Sequence, residues 1–212
     1  QERYRLEGSR LVHLWEDVWN KRTEQVISRI QSLLGLNKRI HARKTKVALV
    51  SQPEAGSFLE VNHIQASARS RYRLALKIDQ EVVALACFSN LRWMKKSDGT
   101  RHKSAEVIRF ANLKGYTVTG GFTKLLKHFA VHYSPDDIMS YADRDWSSGK
   151  VYEQAGFELI EVTPPSTIYL HKETLIRYFP HRLPSCNDEQ GVSSQDFIKV
   201  FNTGNIKYIY NL

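Results

Sequence analysis

The stretch from 104 to 142 constrains this chain more than any other. Residues 104–112 alternate Ala105, Val107 and Arg109 against Glu106, Ile108 and Phe110, the period of a strand. A Gly120-Gly121 pair then opens a segment with Phe122, Leu125, Leu126, Phe129 and Val131 on one helical face, and an apolar run follows at 137–142. Strand, helix and strand in that order make a crossover, which joins parallel neighbours. Upstream, 71–78 and 82–90 flank a tight Asp79-Gln80 connection and read as a hairpin, whose strands are antiparallel. A sheet holding both relations is mixed. The expected class is therefore α/β (α+β), a centrally antiparallel sheet flanked by helices on both faces.

Other elements assemble around this centre. Residues 10–15 read as a short strand, and 24–34 as a helix carrying Val26, Ile27, Ile30, Leu33 and Leu34 and stopped by Gly35. The basic segment 37–44 reads as a linker, 46–51 as a strand, 54–64 as a helix interrupted by Gly56, and 95–103 as a loop. Beyond 142, a short helix at 149–155 ends at Gly156, and strands at 157–162 and 167–170 stand on either side of Pro164-Pro165. A helix at 195–201, a stop at Gly204 and a strand at 207–210 follow. The expected division is an N-terminal strand-helix extension at 1–36, a main domain at 43–171 and a C-terminal extension at 172–212.

Charge narrows the partners. Thirty-one basic against twenty-two acidic side chains give +9, which attracts polyanions, and nucleic acid is the natural candidate. The cations cluster: Lys38, Arg39, Arg43, Lys44 and Lys46 first, then Arg69, Arg71 and Arg73, then Arg92, Lys95, Lys96, Arg101 and Lys103. No apolar run approaches the ~20 residues of a membrane-spanning helix, so no membrane partner is expected. The first residues lack the apolar core of a secretory signal, and Cys87 and Cys186 are the only cysteines. A reduced, cytoplasmic setting is expected, with Cys87 buried.

The element order, with residues 118–129 and 140–157, resembles the GNAT-type N-acyltransferase superfamily: a helix start that cradles a pyrophosphate, then a Tyr-x-x-x-Gly-Phe corner. The resemblance implies acetyl-CoA or another acyl-CoA as cofactor, held by the backbone of Val118, Gly120, Gly121, Phe122 and Thr123 at a helix N-terminus. This chain departs from the pattern at Thr117, where Arg or Gln is usual, and at Phe122, where a second small residue is usual. A tight turn packing helix on sheet is the other reading of the glycine pair. By the same resemblance Glu106 would deprotonate an amine nucleophile and Tyr152 would protonate the leaving thiolate. An ion pair from Glu106 to Arg109 or Arg144 is the plainer alternative.

A second resemblance covers the chain from residue 10 onward. Leu14-Trp15-Glu16-Asp17-Val18-Trp19, His41-Ala42-Arg43-Lys44, Asn62-His63-Ile64-Gln65, Tyr141-Ala142-Asp143-Arg144 and Asn202-Thr203-Gly204-Asn205 are similar to segments in the C-terminal, GNAT-like region of phage and mobile-element homing-endonuclease-like proteins. It implies that 1–36 is a remnant of a nuclease-like domain of the Vsr or PD-(D/E)xK kind. No Asp followed by Glu-x-Lys stands there to hold a metal, so the chain is expected not to cut DNA by itself, and Glu16 and Asp17 read as a solvated helix lead-in. Arg43, Lys44, His63, Gln65, Arg109, Asp143 and Arg144 are the candidates for substrate or nucleic-acid binding; no metal site is expected.

Two functions follow. One is transfer of an acyl group from acyl-CoA to an amine acceptor, with an amine linked to nucleic acid as one candidate. The other is a catalytically inactive, GNAT-like DNA-binding or targeting module of a mobile-element endonuclease system.

Overall fold

The computed structural model describes residues 2–95, 98–180, 183 and 194–212. Two helices, α1 (Glu2–Leu6) and α2 (Glu16–Leu33), precede β1 (Lys38–His41) and a 3-10 turn (Ala42–Lys44). β2 (Lys46–Leu49), α3 (Gln52–Asn62), β3 (Tyr72–Ile78), β4 (Glu81–Phe88), β5 (Arg92–Lys95) and β6 (Arg101–Asn112) follow. Then come β7 (Tyr116–Thr119), α4 (Gly121–Tyr133), β8 (Asp137–Asp143), α5 (Lys150–Gln154) and β9 (Glu158–Val162). The last strands are β10 (Thr167–His171), β11 (Arg177–Tyr178), β12 (Phe197–Phe201) and β13 (Asn205–Asn211).

The large sheet runs β2-β3-β4-β6-β8-β13-β9, with β5 paired to β6. Every neighbour is antiparallel except β6 with β8, the two strands joined by the α4 crossover. This is the mixed, centrally antiparallel sheet expected. Alternation divides its two faces. Leu74, Leu76, Ala84, Ala86 and Phe88 join Phe122, Leu125, Leu126 and Phe129 of α4 in one core, with the Phe88 and Phe129 rings stacked at 4.0 Å. Ala75, Leu85, Cys87 and Ala111 face the other way and pack with Ala55 and Leu59 of α3. Helix α3 starts where the Ser51 hydroxyl accepts from Glu54 N at 3.2 Å, an N-cap, with Pro53 in its first turn.

Several local expectations are corrected. Residues 10–15 form no strand; they run extended along the protein, His13 N donating to Asp145 O and Arg10 to Trp146 O. Helix α2 starts at Glu16, eight residues before position 24, because Asp17 is buried rather than solvated: Arg177 bonds it through Nε (2.5 Å) and Nη2 (2.7 Å). The linker expected at 37–44 holds β1, which pairs in parallel with β7. Residues 197–201, expected as helix, are β12, which suits the aromatic and β-branched run Phe197, Ile198, Val200, Phe201.

The strand at 167–170 exists but lies in a separate three-stranded sheet with β11 and β12. The neighbour of β9 is β13, which pairs with β8 through seven positions and buries Tyr208 completely. Cys87 is free and buried, as expected; Cys186 lies outside the described residues. No helix among the described residues is long and apolar enough to cross a membrane.

Candidate active site

The parallel ladder between β6 and β8 is short. It runs from Ser104 opposite Asp137 to Val107 opposite Ser140 and stops there. On its other edge β8 pairs with β13 along its whole length, and β6 carries a bulge: Arg109 faces Cys87 and Val107 faces Phe88, leaving Ile108 extra. The two strands therefore part, and a wedge opens toward their C-terminal ends. The bulge also resets parity, so Glu106 and Arg109 share the face that carries α3.

The floor of the wedge is polar. Ser140 Oγ, fully buried, stands 3.2 Å from Val107 O and 3.0 Å from the Tyr152 hydroxyl, so one serine bridges the strand and the tyrosine. Aromatic neighbours fix the Tyr152 ring: Phe122 and Phe157 edge-on at 5.4 Å each, and Tyr208 stacked at 5.2 Å. Burial pushes the phenol pKa up, against the Ser140 bond and the charges of Arg29 and Arg109, so the hydroxyl holds its proton at neutral pH.

Around this floor the structure brings together four other predicted residues. Arg109 has a pKa lowered by burial, and its Nε is buried without a partner among the described residues. His63 caps α3; its Nδ1 accepts from Gln65 N at 3.0 Å, which places its proton on Nε2. Its pKa falls to about 3, through burial first and then Arg109, Arg29 and Arg22. Gln65 donates to Asp143 at 2.9 Å, and the Asp143 pKa is raised, by burial first and by Asp145 second.

A pH dependence follows. The folded pKa of His63 lies far below its ordinary ~6.5, so the unfolded chain takes up this proton first and stability falls as pH drops from about 6.5 toward 3. Asp143, with a raised pKa, contributes in the opposite sense. The slope due to His63 is at most ~1.4 kcal/mol per pH unit. His63→Gln is expected to flatten the loss of urea-unfolding stability between about pH 6.5 and 4.5; an unchanged slope would contradict the neutral assignment.

Residues that sequence reasoning missed complete the site. Helix α2 spans the mouth of the wedge: its lead-in bonds the far end of β8, while Ser28 Oγ accepts from Gly115 N (3.1 Å) and Ser32 meets Thr117 (3.4 Å) beyond β6. Arg29 stands between these ends. It is exposed, and its pKa is lowered by desolvation first and Arg10 second. The signal was present as the spacing 22, 25, 29, 32 along the inward face of α2. Glu106 is half-buried and pairs with Arg92 at 3.4 Å rather than with Arg109 or Arg144. The hairpin register, Arg92 opposite Ser104, puts both side chains on one face. Beside Glu106 an open surface depression of about 500 Å³ is lined by Arg69, Ser70, Arg71, Ser89, Asn90 and Ile108.

The remaining predicted residues lie elsewhere. Arg144 donates from Nη1 to Thr203 O at 3.1 Å, and Asp145 accepts from Thr203 N and Oγ1, so this pair holds the turn before β13. Arg43 and Lys44 belong to the 3-10 turn whose Ala42 lies against Gly120. The side chains of Val118 and Phe122 are buried in the core, so only their backbone can meet a ligand. Gly121 is set by packing: a Cβ there would stand 3.0 Å from Val118 Cγ1 and 3.3 Å from Leu76 Cδ1. Gly120 has φ +75°, which favours glycine. Lys124 caps the approach, donating to Ala42 O (2.9 Å) and Thr45 O (2.5 Å).

No family model matches the chain, and no curated relative was found. Solved structures similar to it include an IAA acetyltransferase from Bacillus cereus ATCC 14579 (14% identity, 79% of this chain and 99% of that one, TM-score 0.47). The ribosomal-protein-S18-alanine N-acetyltransferase from Escherichia coli is another (11% identity, 79% and 93% covered, TM-score 0.47). A third is a GNAT family acetyltransferase from Elizabethkingia anophelis with acetyl-CoA bound (13% identity, 80% and 99% covered, TM-score 0.47).

Proposed function

We propose that this chain is an acyl-CoA-dependent N-acyltransferase. The observation that carries the reading is the wedge between β6 and β8, with a protonated tyrosine held at its floor and a carboxylate on the strand beside it. Helix α4 begins at the same open end, and the amides of Gly121, Phe122 and Thr123 have no acceptor within the helix. Such a terminus accepts phosphate, with Arg43 and Lys44 in the adjoining turn to supply charge.

A bound acyl-CoA would supply a thioester. The chain would do the proton work. Glu106 takes a proton from the attacking amine, directly or through water, as nitrogen bonds to the acyl carbon. Tyr152 gives its proton to the departing sulfur. Helix α2 walls the mouth and limits water, with Arg29 on its inward face. The acceptor would come to Glu106 from the depression lined by Arg69 and Arg71.

A second reading, a GNAT-like module without cofactor chemistry, is favoured by the β1 to β7 ladder. It engages Tyr116–Thr119, part of the stretch meant to receive the pyrophosphate. Thermal unfolding with acetyl-CoA separates the two. A ligand at 100 times its Kd adds roughly 2.7 kcal/mol of stability. A rise in Tm is expected; none at millimolar cofactor sinks the acyl-transfer reading.

A further inference from the structure

The β5–β6 ribbon carries a surface that acyl transfer does not use. Its register sets Arg92 opposite Ser104, Trp93 opposite Lys103, Met94 opposite His102 and Lys95 opposite Arg101. Directly opposed residues share a face and alternate along the strand, so Trp93, Lys95, Arg101 and Lys103 stand together on one side. Trp93 is 58% exposed, with Arg101 Cζ 5.6 Å and Lys103 Nζ 5.4 Å from its ring centre. Ala105 and Val107, next along the same face of β6, are buried in the α4 core, so the ribbon runs on past the part of the sheet that the core cluster covers.

The two faces of the ribbon differ in charge. On the far side Arg92 is paired with Glu106, and His102 Nε2 lies 2.7 Å from Asp137. On the tryptophan side, among the described residues, no salt bridge joins Lys95, Arg101 or Lys103 to a carboxylate. The exposed indole has two cations within 6 Å of its ring centre and a third, Lys95, two residues along the same face, a combination that matches a polyanion carrying flat rings.

We infer that this face binds single-stranded nucleic acid, an unstacked base lying on Trp93 and phosphates meeting Lys95, Arg101 and Lys103. Stacking needs a base free of its own helix, which selects single strands over duplex, and the cations supply affinity that any sequence satisfies. The inference does not depend on acyl transfer and stands whether or not acetyl-CoA binds.

The test is fluorescence anisotropy of a labelled oligothymidylate with the full chain across a salt series. Affinity is expected to fall as salt rises, with a log-log slope of about −2 for three phosphate contacts at about −0.7 each. Trp93→Ala is expected to weaken binding about ten-fold or more, and Trp93→Phe to keep most of it. Lys103→Gln should reduce the slope by about 0.7. An unchanged Tm in each variant shows that the fold is intact, as an exposed position predicts. Equal binding by Trp93→Ala, preference for duplex over the single strand, or tighter binding to polyglutamate or to phosphatidylserine vesicles would each overturn the proposal.

Discussion

Tyr152→Phe is expected to lower kcat for acyl transfer about a hundred-fold, the scale of losing a positioned general acid. The side chain loses one hydroxyl and keeps its ring contacts with Phe122, Phe157 and Tyr208, so the fold should hold. What goes is the proton at the floor of the wedge and the link to Ser140. Thiol release from acetyl-CoA with an amine acceptor measures it. KM for acetyl-CoA should move little, because the phenol acts on a charge that develops as the sulfur leaves. The alkaline limb of the pH profile should also disappear, since burial raises the phenol pKa. Full activity in the phenylalanine variant would remove Tyr152 from the chemistry.

Gly204→Ala is expected to be a strongly destabilising single-methyl change. Gly204 has φ +85°, and a Cβ there would stand 2.1 Å from Thr163 O and 2.9 Å from Pro164 O, all backbone. Neither strand can yield without breaking the turn that admits β13 to the sheet, where Arg144 N donates to Gly204 O at 3.1 Å. A loss of about 4 kcal/mol is expected, lowering Tm by about 10 °C in a chain of this size. Gly35 supplies the control: its φ is +73°, but nothing lies within 4 Å of an added Cβ. Gly35→Ala should cost only about 1 kcal/mol, the backbone conformation alone. Equal effects at the two positions would show that the β9–β13 junction adapts.

Sequence reading succeeded where a local rule acts by itself. The hairpin of β3 and β4, the helix opened by Gly120-Gly121 and the short helix before Gly156 each carry their own turn residues and apolar period. Of the binding candidates it named together, His63, Gln65, Arg109 and Asp143 lie near one another, while Arg43, Lys44 and Arg144 stand elsewhere. It failed where distant chain decided. Asp17 looked like solvated helix lead-in because its partner, Arg177, lies 160 residues away. Residues 197–201 permit either period over five positions, and only pairing with β10 makes them a strand. The spacing 22, 25, 29, 32 marked one face of α2, but a helix face does not tell which groove it will cross.

By itself the sequence determined the alternation of strand and helix, hence a mixed sheet with one crossover and a basic surface, because propensity and period act within a few residues. Tertiary structure alone decided that β13 enters between β8 and β9, that β6 and β8 part after Val107, and that α2 closes the gap. Those outcomes depend on hydrogen bonds between segments far apart in the chain, such as Trp15 Nε1 donating to Phe201 O over a separation of 186. No window along the chain contains both partners of such a bond.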